Sequence, residues 1–432
     1  MNKTAKTERH ILKAILWSYI VMCLIIAGLN YGYAAKAPPA TASFLNSVWH
    51  FYENQIKTVF ILVGSFLTIR IVRASGRTTM RKRNLIGIIL TALVVHIITP
   101  FFLHNNEIYF FTMPLPWTTT PLQLFEPKTA FFLSRNPIWG SAGISAVILF
   151  YICFSVIVLV GTILFGRRWQ CSTLCLFNGF ASEVFEPAFP LIGKKKKMKP
   201  GMRKAFIVIK WLFFAMAVGL SLWWILFLVG IPIVGNFKRI AAFETYKYLC
   251  TELLMAMFFW VAFIGRGYCY YCPLGTTLSL FGKLAGQKIQ TNHTTCIGCK
   301  KCNTACPMSI DIFSSAQIGA DVKESRCVGC GHCVDACPVK TLSYSTKFIE
   351  RLAEKKQSNQ KIETAEEPEL EKSGEQNIEQ NIEQNVEQNV EQNVEQNVEQ
   401  NVKQNVEQNV EQNTQAETEC MIKKEEEFTQ QK

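Results

Sequence analysis

The sequence has little charge, and acidic residues are scarcest where apolar residues are most frequent. Only 18% of the 432 residues are charged, against about 25% in an ordinary soluble protein. Residues 1–350 contain 36 basic and 13 acidic residues, whereas residues 351–432 contain 9 basic and 20 acidic residues. An apolar segment with a basic balance is typical of a membrane domain with basic flanks, and it argues against a nucleic-acid binder. A single soluble globule is excluded.

The chain also lacks the patterns that indicate a nucleotide or a haem. It has no Walker A run and no dinucleotide fingerprint. Among its 6 histidines, His96 alone is expected at mid-membrane depth, so no second histidine is available there to ligate haem b. His96 is interpreted as a hydrogen-bonded interior residue. Glu252, near the outer end of the last apolar stretch, is a candidate proton acceptor.

Six apolar stretches approach the roughly 20 residues that cross about 30 Å of hydrocarbon. The second is the weakest, since Lys57 and Arg70 lie at its ends and must reach toward the headgroups. No cleavable signal peptide is expected, because no small-residue cleavage site follows the first stretch. We therefore expect residues 1–287 to form an α-helical membrane domain with about six transmembrane helices, covering approximately residues 11–35, 55–72, 85–103, 142–165, 205–229 and 247–265.

Basic residues predict how these helices are oriented. The N-terminal segment, the turn after the second stretch and the loop after the fourth are rich in lysine and arginine, whereas the loop 104–140 has no net charge. This pattern predicts a multi-pass protein of the cytoplasmic (inner) membrane with both termini in the cytoplasm. The lysine run at 194–197 is read as part of this signal, touching anionic lipid rather than nucleic acid.

Eight of the 16 cysteines form two tandem runs with the spacing C-x₂-C-x₂-C-x₃-C-P. This is the spacing of bacterial two-cluster ferredoxins, in which the fourth cysteine of each run ligates the other cluster. Structural zinc in four-cysteine sites is a poor alternative, because zinc modules seldom repeat this spacing. Residues 288–347 are therefore expected to be a small α+β, cytoplasmic ferredoxin-like domain with two 4Fe–4S clusters. The predicted ligands are Cys296, Cys299, Cys302 and Cys337 for cluster one, and Cys327, Cys330, Cys333 and Cys306 for cluster two.

Four further cysteines follow the fourth and sixth apolar stretches: Cys171, Cys175, Cys269 and Cys272. Each pair is preceded by Gly-Arg and an aromatic residue, and both pairs are expected at the cytoplasmic face. Three interpretations stay open for these juxtamembrane cysteines. They could hold a further iron–sulfur centre, act as redox-active thiols that relay electrons, or pack the helix ends as inert residues.

These motifs resemble the NosR/NapH-type membrane iron–sulfur proteins, a polyferredoxin-like family in which transmembrane helices are followed by Cys-x₃-Cys-Pro motifs and a cytoplasmic two-cluster ferredoxin. The resemblance covers roughly residues 85–345 and depends on the order of the motifs. The sequence departs from the family at Leu176, where the family has proline, and between Cys269 and Cys272, where only two residues intervene. The resemblance implies electron transfer with the quinol pool and with other redox proteins of a respiratory or reductase system.

The last segment, residues 348–432, is acidic and repetitive. From Glu375 to Thr414 it consists of tetrads of the type Glu-Gln-Asn-Val or Glu-Gln-Asn-Ile. A period of four gives no lasting apolar stripe on a helix, and one aliphatic residue in four cannot form a core. The sequence therefore predicts a disordered tail, in which Cys420 is not expected to be a ligand.

The function predicted from the sequence is membrane-bound electron transfer between quinol or a membrane partner and a redox partner, through two 4Fe–4S clusters. No independent substrate site is apparent, and the direction of electron flow is open. The alternative is an accessory factor that matures or reactivates a respiratory metalloenzyme. A pump or channel is disfavoured, on the argument that the bundle lacks paired charges inside the membrane.

Overall fold

The computed structural model describes residues 3–74, 76–127, 129–133, 140–193, 198–231, 237–292 and 296–363. The chain divides into two units, Met1–Ala353 and Glu354–Lys432, and every contact discussed below lies in the first. The described part is almost entirely helical. Its α-helices are α1 (Lys3–Ala27), α2 (Pro39–Phe51), α3 (Lys57–Arg73), α4 (Thr79–Leu93), α5 (Thr99–Leu103), α6 (Thr120–Gln123), α7 (Ala130–Leu133), α8 (Gly140–Phe165), α9 (Asn178–Val184), α10 (Pro200–Leu228), α11 (Phe237–Lys247), α12 (Met255–Ala262), α13 (Pro273–Leu284), α14 (Lys301–Ala305), α15 (Phe313–Gln317), α16 (His332–Ala336) and α17 (Lys347–Glu363).

Several of these helices are joined by short stretches of wider π-helix into longer continuous rods. A π-turn inserts an extra residue into the helical ladder and is frequent at functional sites. Single 3₁₀ turns occur at four further places. The π-helical stretches are Gly28–Tyr33, Tyr52–Ile56, Val94–Ile98, Trp169–Leu174 and Tyr248–Leu254, and the 3₁₀ turns are Ala34–Lys36, Ile108–Thr112, Glu186–Ala188 and Tyr268–Tyr270.

Five helical rods of the described residues are long and apolar enough to cross a membrane: Thr4–Lys36, Pro39–Arg73, Thr79–Leu103, Gly140–Phe165 and Gly201–Leu228. We call them the first to fifth spans. They correspond to the first five apolar stretches of the sequence, and they support a membrane protein. The sixth stretch lies on a continuous rod, α11 to α12, which we call the sixth rod. This rod carries more charge near its start and is not among the five. The count of six spans stays a prediction.

The connection between the third and fourth spans folds back into the bundle. Within residues 104–127, the indole Nε1 of Trp117 donates a hydrogen bond to the hydroxyl of Tyr268 at 3.1 Å, and the amide of Gln170 contacts the sulfur of Met113 at 3.3 Å. Tyr268 and Gln170 each directly precede a juxtamembrane cysteine. This re-entrant loop therefore leaves the far end of the third span and returns to the cysteine end. Irregular backbone at membrane depth is tolerated where it is buried in protein or lines a cavity.

Two ion pairs are buried in the helical bundle, so the expectation that the bundle lacks paired charges was wrong. The ammonium of Lys57 lies 2.8 Å from the carboxylate of Glu53 one turn earlier, with both side chains more than nine-tenths buried. Lys247 and Glu252 form a second pair on the sixth rod. His96 is also buried, and its Nδ1 is hydrogen-bonded to a threonine of the second span at 3.1 Å. A spacing of four residues brings Glu53 and Lys57 together on one helix face, whereas Lys247 and Glu252 are five residues apart and meet where the rod becomes π-helical.

The cysteine-rich segment 288–346 is closed by a two-stranded antiparallel sheet. Strand β1 (Lys288–Thr291) pairs with β2 (Leu342–Ser345), so that Lys288 faces Ser345 and Thr291 faces Leu342. The sheet brings the two ends of the segment together. Between the strands, α14 and α16 each lie inside one cysteine run and pack against each other.

This segment is docked on the ends of the membrane helices. The carboxylate of Asp335 accepts hydrogen bonds from the backbone N–H groups of Met80 and Arg81, in the first turn of α4, at 3.1 and 2.9 Å. The hydroxyl of Tyr344 and that of the threonine two residues later donate to the last two carbonyls of α8, at 2.7 and 2.8 Å. Helix ends carry backbone groups without intrahelical partners, and the cysteine-rich segment supplies those partners.

The segment that follows begins as a helix. Helix α17 covers Lys347–Glu363 and therefore extends into the region that the sequence analysis assigned to a disordered tail beginning at residue 348. Its composition between Glu350 and Lys361 is rich in good helix formers, which explains the difference. The tetrad repeats and Cys420 lie outside the described residues.

Candidate iron–sulfur centres

The predicted ligand sets line two separate small cavities. One cavity is lined by the four cysteines predicted for cluster two, Cys306, Cys327, Cys330 and Cys333. The other is lined by the four predicted for cluster one, Cys296, Cys299, Cys302 and Cys337. Each cavity thus combines three cysteines of one run with the fourth cysteine of the other, as the exchanged-ligand pattern requires.

The backbone of the two runs follows the same path. The glycine between the first two cysteines has a positive φ in both runs, 73° at Gly298 and 66° at Gly329. The residue after the second cysteine is also left-handed, at Lys300 and Gly331. A five-residue helix follows in each run and ends at the fourth cysteine, which is extended. These turns direct three sulfurs of each run inward, and the proline that follows the fourth cysteine turns the chain away.

The cysteine sulfurs of the described residues are not as close together as a single zinc ion requires. Zn–S bonds of about 2.3 Å in a tetrahedron place the sulfurs roughly 3.8 Å apart. Among the described residues, no three cysteine sulfurs lie within 4.8 Å of one another. The cavity of the cluster-two set also has a wall of aliphatic and thioether side chains, which suits an iron–sulfur cube shielded from water. These wall residues are Ile289, Met308, Ile310, Ile312, Val322 and Val328.

The four juxtamembrane cysteines also come together. The thiols of Cys175 and Cys272 both interact electrostatically with those of Cys171 and Cys269. The turn after the fourth span and the turn after the sixth rod therefore end at one place, beside the membrane helix ends. The sequence had placed both pairs on the same face, but it could not show that they meet.

Each juxtamembrane sulfur has a nitrogen donor within reach. The backbone N–H of Gly179 contacts Cys175 Sγ at 3.4 Å, and that of Gly275 contacts Cys272 Sγ at 3.4 Å. Two side chains serve the other thiols. Asn178 Nδ2 contacts Cys269 Sγ at 3.2 Å, and the Arg167 guanidinium contacts Cys171 Sγ at 3.4 Å. Hydrogen bonds to the sulfurs are among the features that set the potential of an iron–sulfur centre.

Two glycines of the juxtamembrane motifs leave room for this close packing. A Cβ on Gly179 would lie 2.6 Å from Cys175 Cβ, and a Cβ on Gly275 would lie 2.5 Å from a guanidinium nitrogen of Arg167.

Burial raises the pKa of Cys175 to about 11, and burial likewise raises the pKa of Cys272 well above its usual value. Without a metal these thiols are therefore neutral at pH 7, and a bound cation would favour their thiolates.

A buried charged network connects the juxtamembrane turns to the second cysteine run. The carboxylate of Glu183, on α9, is fully buried and forms an ion pair with Arg266. It also accepts a hydrogen bond from Asn84 at 3.1 Å and contacts His332 Nε2 at 2.9 Å. Burial opposes ionisation of this carboxyl, but His332 and the positive charges of Arg266 and Arg81 hold the pKa of Glu183 well below its usual range.

The same network orients the juxtamembrane turn. The guanidinium of Arg266 donates to the backbone carbonyl of Cys171 at 2.9 Å and to the hydroxyl of Ser172 at 3.1 Å. Ser172 in turn donates to the carbonyl of Val328, inside the second cysteine run, at 3.0 Å. The Gly-Arg pattern before each cysteine pair is visible in the sequence, but the role of the arginines is not. Glu183 had no sequence signal, because its importance comes from residues far away along the chain.

Glu183, Cys330 and His332 have ligand atoms within 4.8 Å of one another and could in principle hold a single metal ion. The ion pair with Arg266 already neutralises the carboxylate, and Cys330 lines the cluster-two cavity. Burial lowers the pKa of His332, and its Nε2 lies at hydrogen-bond distance from the Glu183 carboxylate. The geometry is better explained as a hydrogen-bonded ion pair than as a metal site.

Comparisons with known proteins agree with the cysteine geometry. Residues 288–338 match the family model described as a 4Fe-4S dicluster domain. The chain contains a 4Fe–4S dicluster ferredoxin domain. The match supports iron–sulfur electron transfer in general. The chain is also 29% identical over 188 residues to the uncharacterized protein MJ0749 of Methanocaldococcus jannaschii, a match that covers 43% of this chain and 69% of that protein. No solved structure matches the chain.

Proposed function

We propose that the protein transfers electrons between quinol or a membrane partner and a redox partner, through two 4Fe–4S clusters, in anaerobic or respiratory metabolism. One observation carries this proposal: the second cysteine run is docked directly on the membrane helix ends, beside the four juxtamembrane cysteines, whereas the first run faces solvent. Redox-capable sites thus form a continuous series from the membrane edge to the exposed surface.

The residues that would hold the clusters are those that line the two cavities. Cys296, Cys299, Cys302 and Cys337 would hold one cluster, and Cys306, Cys327, Cys330 and Cys333 would hold the other. When bound, such clusters accept and release single electrons without binding substrate. We call the cluster that Cys306, Cys327, Cys330 and Cys333 would hold the inner cluster, and the other one the outer cluster. The protein's own part is to exclude water from the inner cluster and to leave the outer cluster accessible. The sulfur of Cys299 is on an exposed residue, while Cys330 and Cys333 are buried.

We propose a third iron–sulfur centre at Cys171, Cys175, Cys269 and Cys272. The four thiols meet, each has a nitrogen donor, and the positive charges of Arg167 and Arg266 would offset the negative charge of four thiolates. In this proposal the two arginines act on the potential of the centre and not as ligands. The NosR/NapH resemblance, six spans and a location in the cytoplasmic membrane with both termini inside belong to the same proposal.

The test is to purify the protein anaerobically and to measure iron, acid-labile sulfide and electron paramagnetic resonance after dithionite reduction. We expect about twelve irons for three cubes and about eight for two. The variant Cys171→Ser/Cys272→Ser should lose about four irons and the reduction of the remaining clusters by quinol, while dithionite still reduces them. Cys153→Ser/Cys250→Ser, which changes two exposed cysteines elsewhere, is the matched control.

Two results would refute parts of this proposal. Stoichiometric zinc with negligible iron would exclude electron transfer through clusters altogether. Eight irons in both the wild type and the double variant, with unchanged quinol reduction, would leave the two ferredoxin clusters intact and reduce the juxtamembrane cysteines to packing. The accessory role in metalloenzyme maturation predicts instead a fully clustered protein that no quinol reduces, and whose loss lowers the metal content of another enzyme.

A further inference from the structure

A cavity of about 420 Å³ lies between the re-entrant loop, the fifth span and the sixth rod. We propose that this cavity binds the head group of quinol and that Glu244 accepts a proton from it. The inference rests on the proposed function, because it names the site and the residues by which that electron donor would be oxidised.

The cavity has the composition of a quinone site. Ligand pockets of roughly 300–1,000 Å³ are mostly apolar with a few convergent polar groups. Here Trp117 and Phe110 of the loop and Phe131 of α7 supply aromatic surface, and Ala217 and Leu220 of the fifth span supply a smooth aliphatic wall. Such a space accommodates a flat ring with oxygen atoms at opposite ends.

The carboxylate of Glu244 lies in this cavity and is held in place by three donors. It accepts hydrogen bonds from the hydroxyl of Thr119, from the amide of Gln123 at 3.0 Å and from the indole of Trp224 at 3.4 Å. Two of the donors are on the re-entrant loop and one is on the fifth span, so the carboxylate ties all three walls together. Ionisable groups at membrane depth are costly, and they often mark proton pathways.

A second acidic side chain lines the same cavity further along the sixth rod. Glu252 is paired with Lys247, and both residues line the cavity. Tyr31 and Tyr248, also in the lining, lie within electrostatic range of Glu53, which belongs to the other buried ion pair. Acidic side chains of both buried ion pairs therefore lie in or near this cavity.

The other side of the cavity leads to the juxtamembrane cysteines. Trp117 lines the cavity, and its indole Nε1 donates to the hydroxyl of Tyr268 at 3.1 Å. Tyr268 directly precedes Cys269, and both aromatic rings pack edge-on against Phe177, two residues after Cys175. A bound ring in contact with Trp117 would thus be separated from the cysteines by one layer of aromatic side chains.

The reaction balances with groups already named. Oxidation of one quinol breaks two O–H bonds and yields one quinone, two protons and two electrons. Glu244 accepts one proton on a carboxylate oxygen and Glu252 accepts the other. The oxidant would be the two 4Fe–4S clusters held by the cysteines of the two runs, and each cluster would take one electron. Protons and electrons leave the cavity in opposite directions, because Glu244 lies toward the start of the sixth rod and the cysteines follow its end.

Binding is tested with two variants of the fifth span in lipid nanodiscs. Ala217→Phe fills the cavity, whereas Ala215→Phe adds the same bulk on the exposed face of the same helix. Decylubiquinone and 2,3-dimethyl-1,4-naphthoquinone are titrated by quenching of tryptophan fluorescence. We expect Ala217→Phe to raise the Kd at least tenfold and Ala215→Phe to leave it within about twofold. If Ala217→Phe does not accumulate, Ala241→Phe fills the same cavity from the sixth rod.

Proton transfer is tested with Glu244→Gln, which keeps the shape and the ability to bind Thr119. We expect quinone affinity within about threefold of the wild type, but reduction of the clusters by the matching quinol at least tenfold slower. Glu126→Gln, on the same loop but outside the cavity lining, is the matched control and should leave the rate unchanged.

The outcomes separate this inference from the proposed function. If quinol reduces the clusters of the wild type but Ala217→Phe and Ala215→Phe bind quinone equally well, the site is elsewhere and the electron-transfer function stands. If binding is lost in Ala217→Phe but Glu244→Gln reacts at the wild-type rate, Glu244 is not the acceptor. If dithionite reduces the clusters and no quinol does, the proposed donor is wrong and the inference falls with it.

Discussion

The two cysteine runs have the same spacing and the same backbone path, yet they lie in opposite environments. Ile297 and Val328 occupy the same position in the motif, and their exposed fractions are 63% and 1%. Lys300 and Gly331 are likewise equivalent. Lys300 borders the exposed cavity, whereas a Cβ on Gly331 would lie 2.7 Å from Met80 of the membrane domain.

The difference continues along the short helices. Lys301 of the first run is exposed, whereas its counterpart His332 is buried against Glu183. Thr304 is exposed, whereas its counterpart Asp335 caps a membrane helix. The shared cysteine spacing therefore accounts for the common backbone path, and the residues between the cysteines determine which run docks on the membrane helix ends and which run stays exposed.

Among the substitutions that test this difference between the runs, the largest loss of stability is expected at the ion pair that anchors the second run. Glu183→Ala removes the carboxylate that pairs with the buried guanidinium of Arg266. Breaking a buried ion pair in this way lowers the free energy of unfolding by about 3–5 kcal/mol. We expect the temperature at which cluster absorbance is lost to fall strongly, and the second run to become accessible to protease. Glu324→Ala removes a surface pair with Arg326 and should cost under about 1 kcal/mol. Equal effects of the two substitutions would show that Glu183 does not anchor the second run.

A smaller difference is expected between two glycines with the same φ of 73°, Gly298 and Gly331. Alanine in the left-handed region costs roughly 1–2 kcal/mol at either position. Only Gly331→Ala also places a methyl group against Met80, whereas nothing lies within 4 Å of a Cβ on Gly298. Gly331→Ala should therefore lower the thermal midpoint of cluster loss by more than Gly298→Ala does. The reverse order would mean that the docked arrangement of the second run is wrong.

Much of the arrangement follows from short-range sequence patterns. Helix length and apolarity identify the first five spans, since a membrane helix is specified by local composition. The repeated cysteine spacing identifies the ferredoxin domain, because the cysteines of one run must surround one cluster with little chain between them. One signal in the sequence was available but unused: the second run replaces the Lys300–Lys301 pair of the first with Gly331 and His332, which removes two charges from a surface that is buried.

What could not be predicted depends on contacts between distant residues. The sequence does not show how the ferredoxin domain lies relative to the membrane helices, because the twenty-odd residues after Cys272 could form either a spacer or a packed helix. In the structure they form α13, which packs on the fourth and fifth spans and returns the chain to the helix ends. The re-entrant loop was similarly hidden, since residues 104–140 have neither the length of apolar run nor the charge that marks a buried segment.

The smallest of these effects concerns the cap that joins the second run to α4. Thr78 occupies the N-cap position of α4 but makes no side-chain hydrogen bond there. Asp335 accepts instead from the N–H groups of Met80 and Arg81, which a capping side chain ordinarily serves. Asp335→Ala should cost about 1–2 kcal/mol and lower the midpoint for loss of the inner cluster while the outer cluster is retained.

Asp335→Asn gives the graded control for this prediction. Asparagine is as good a capping residue as aspartate, but it has one acceptor oxygen where Asp335 uses two, so one of the two N–H groups would lose its partner. We expect the asparagine variant to lie between wild type and Asp335→Ala. Thr304→Ala, at the equivalent position of the first run, should have no effect on either cluster beyond about 0.5 kcal/mol, as is usual for an exposed site. Equal effects of Thr304→Ala and Asp335→Ala on the inner cluster would show that Asp335 does not anchor the second run to α4.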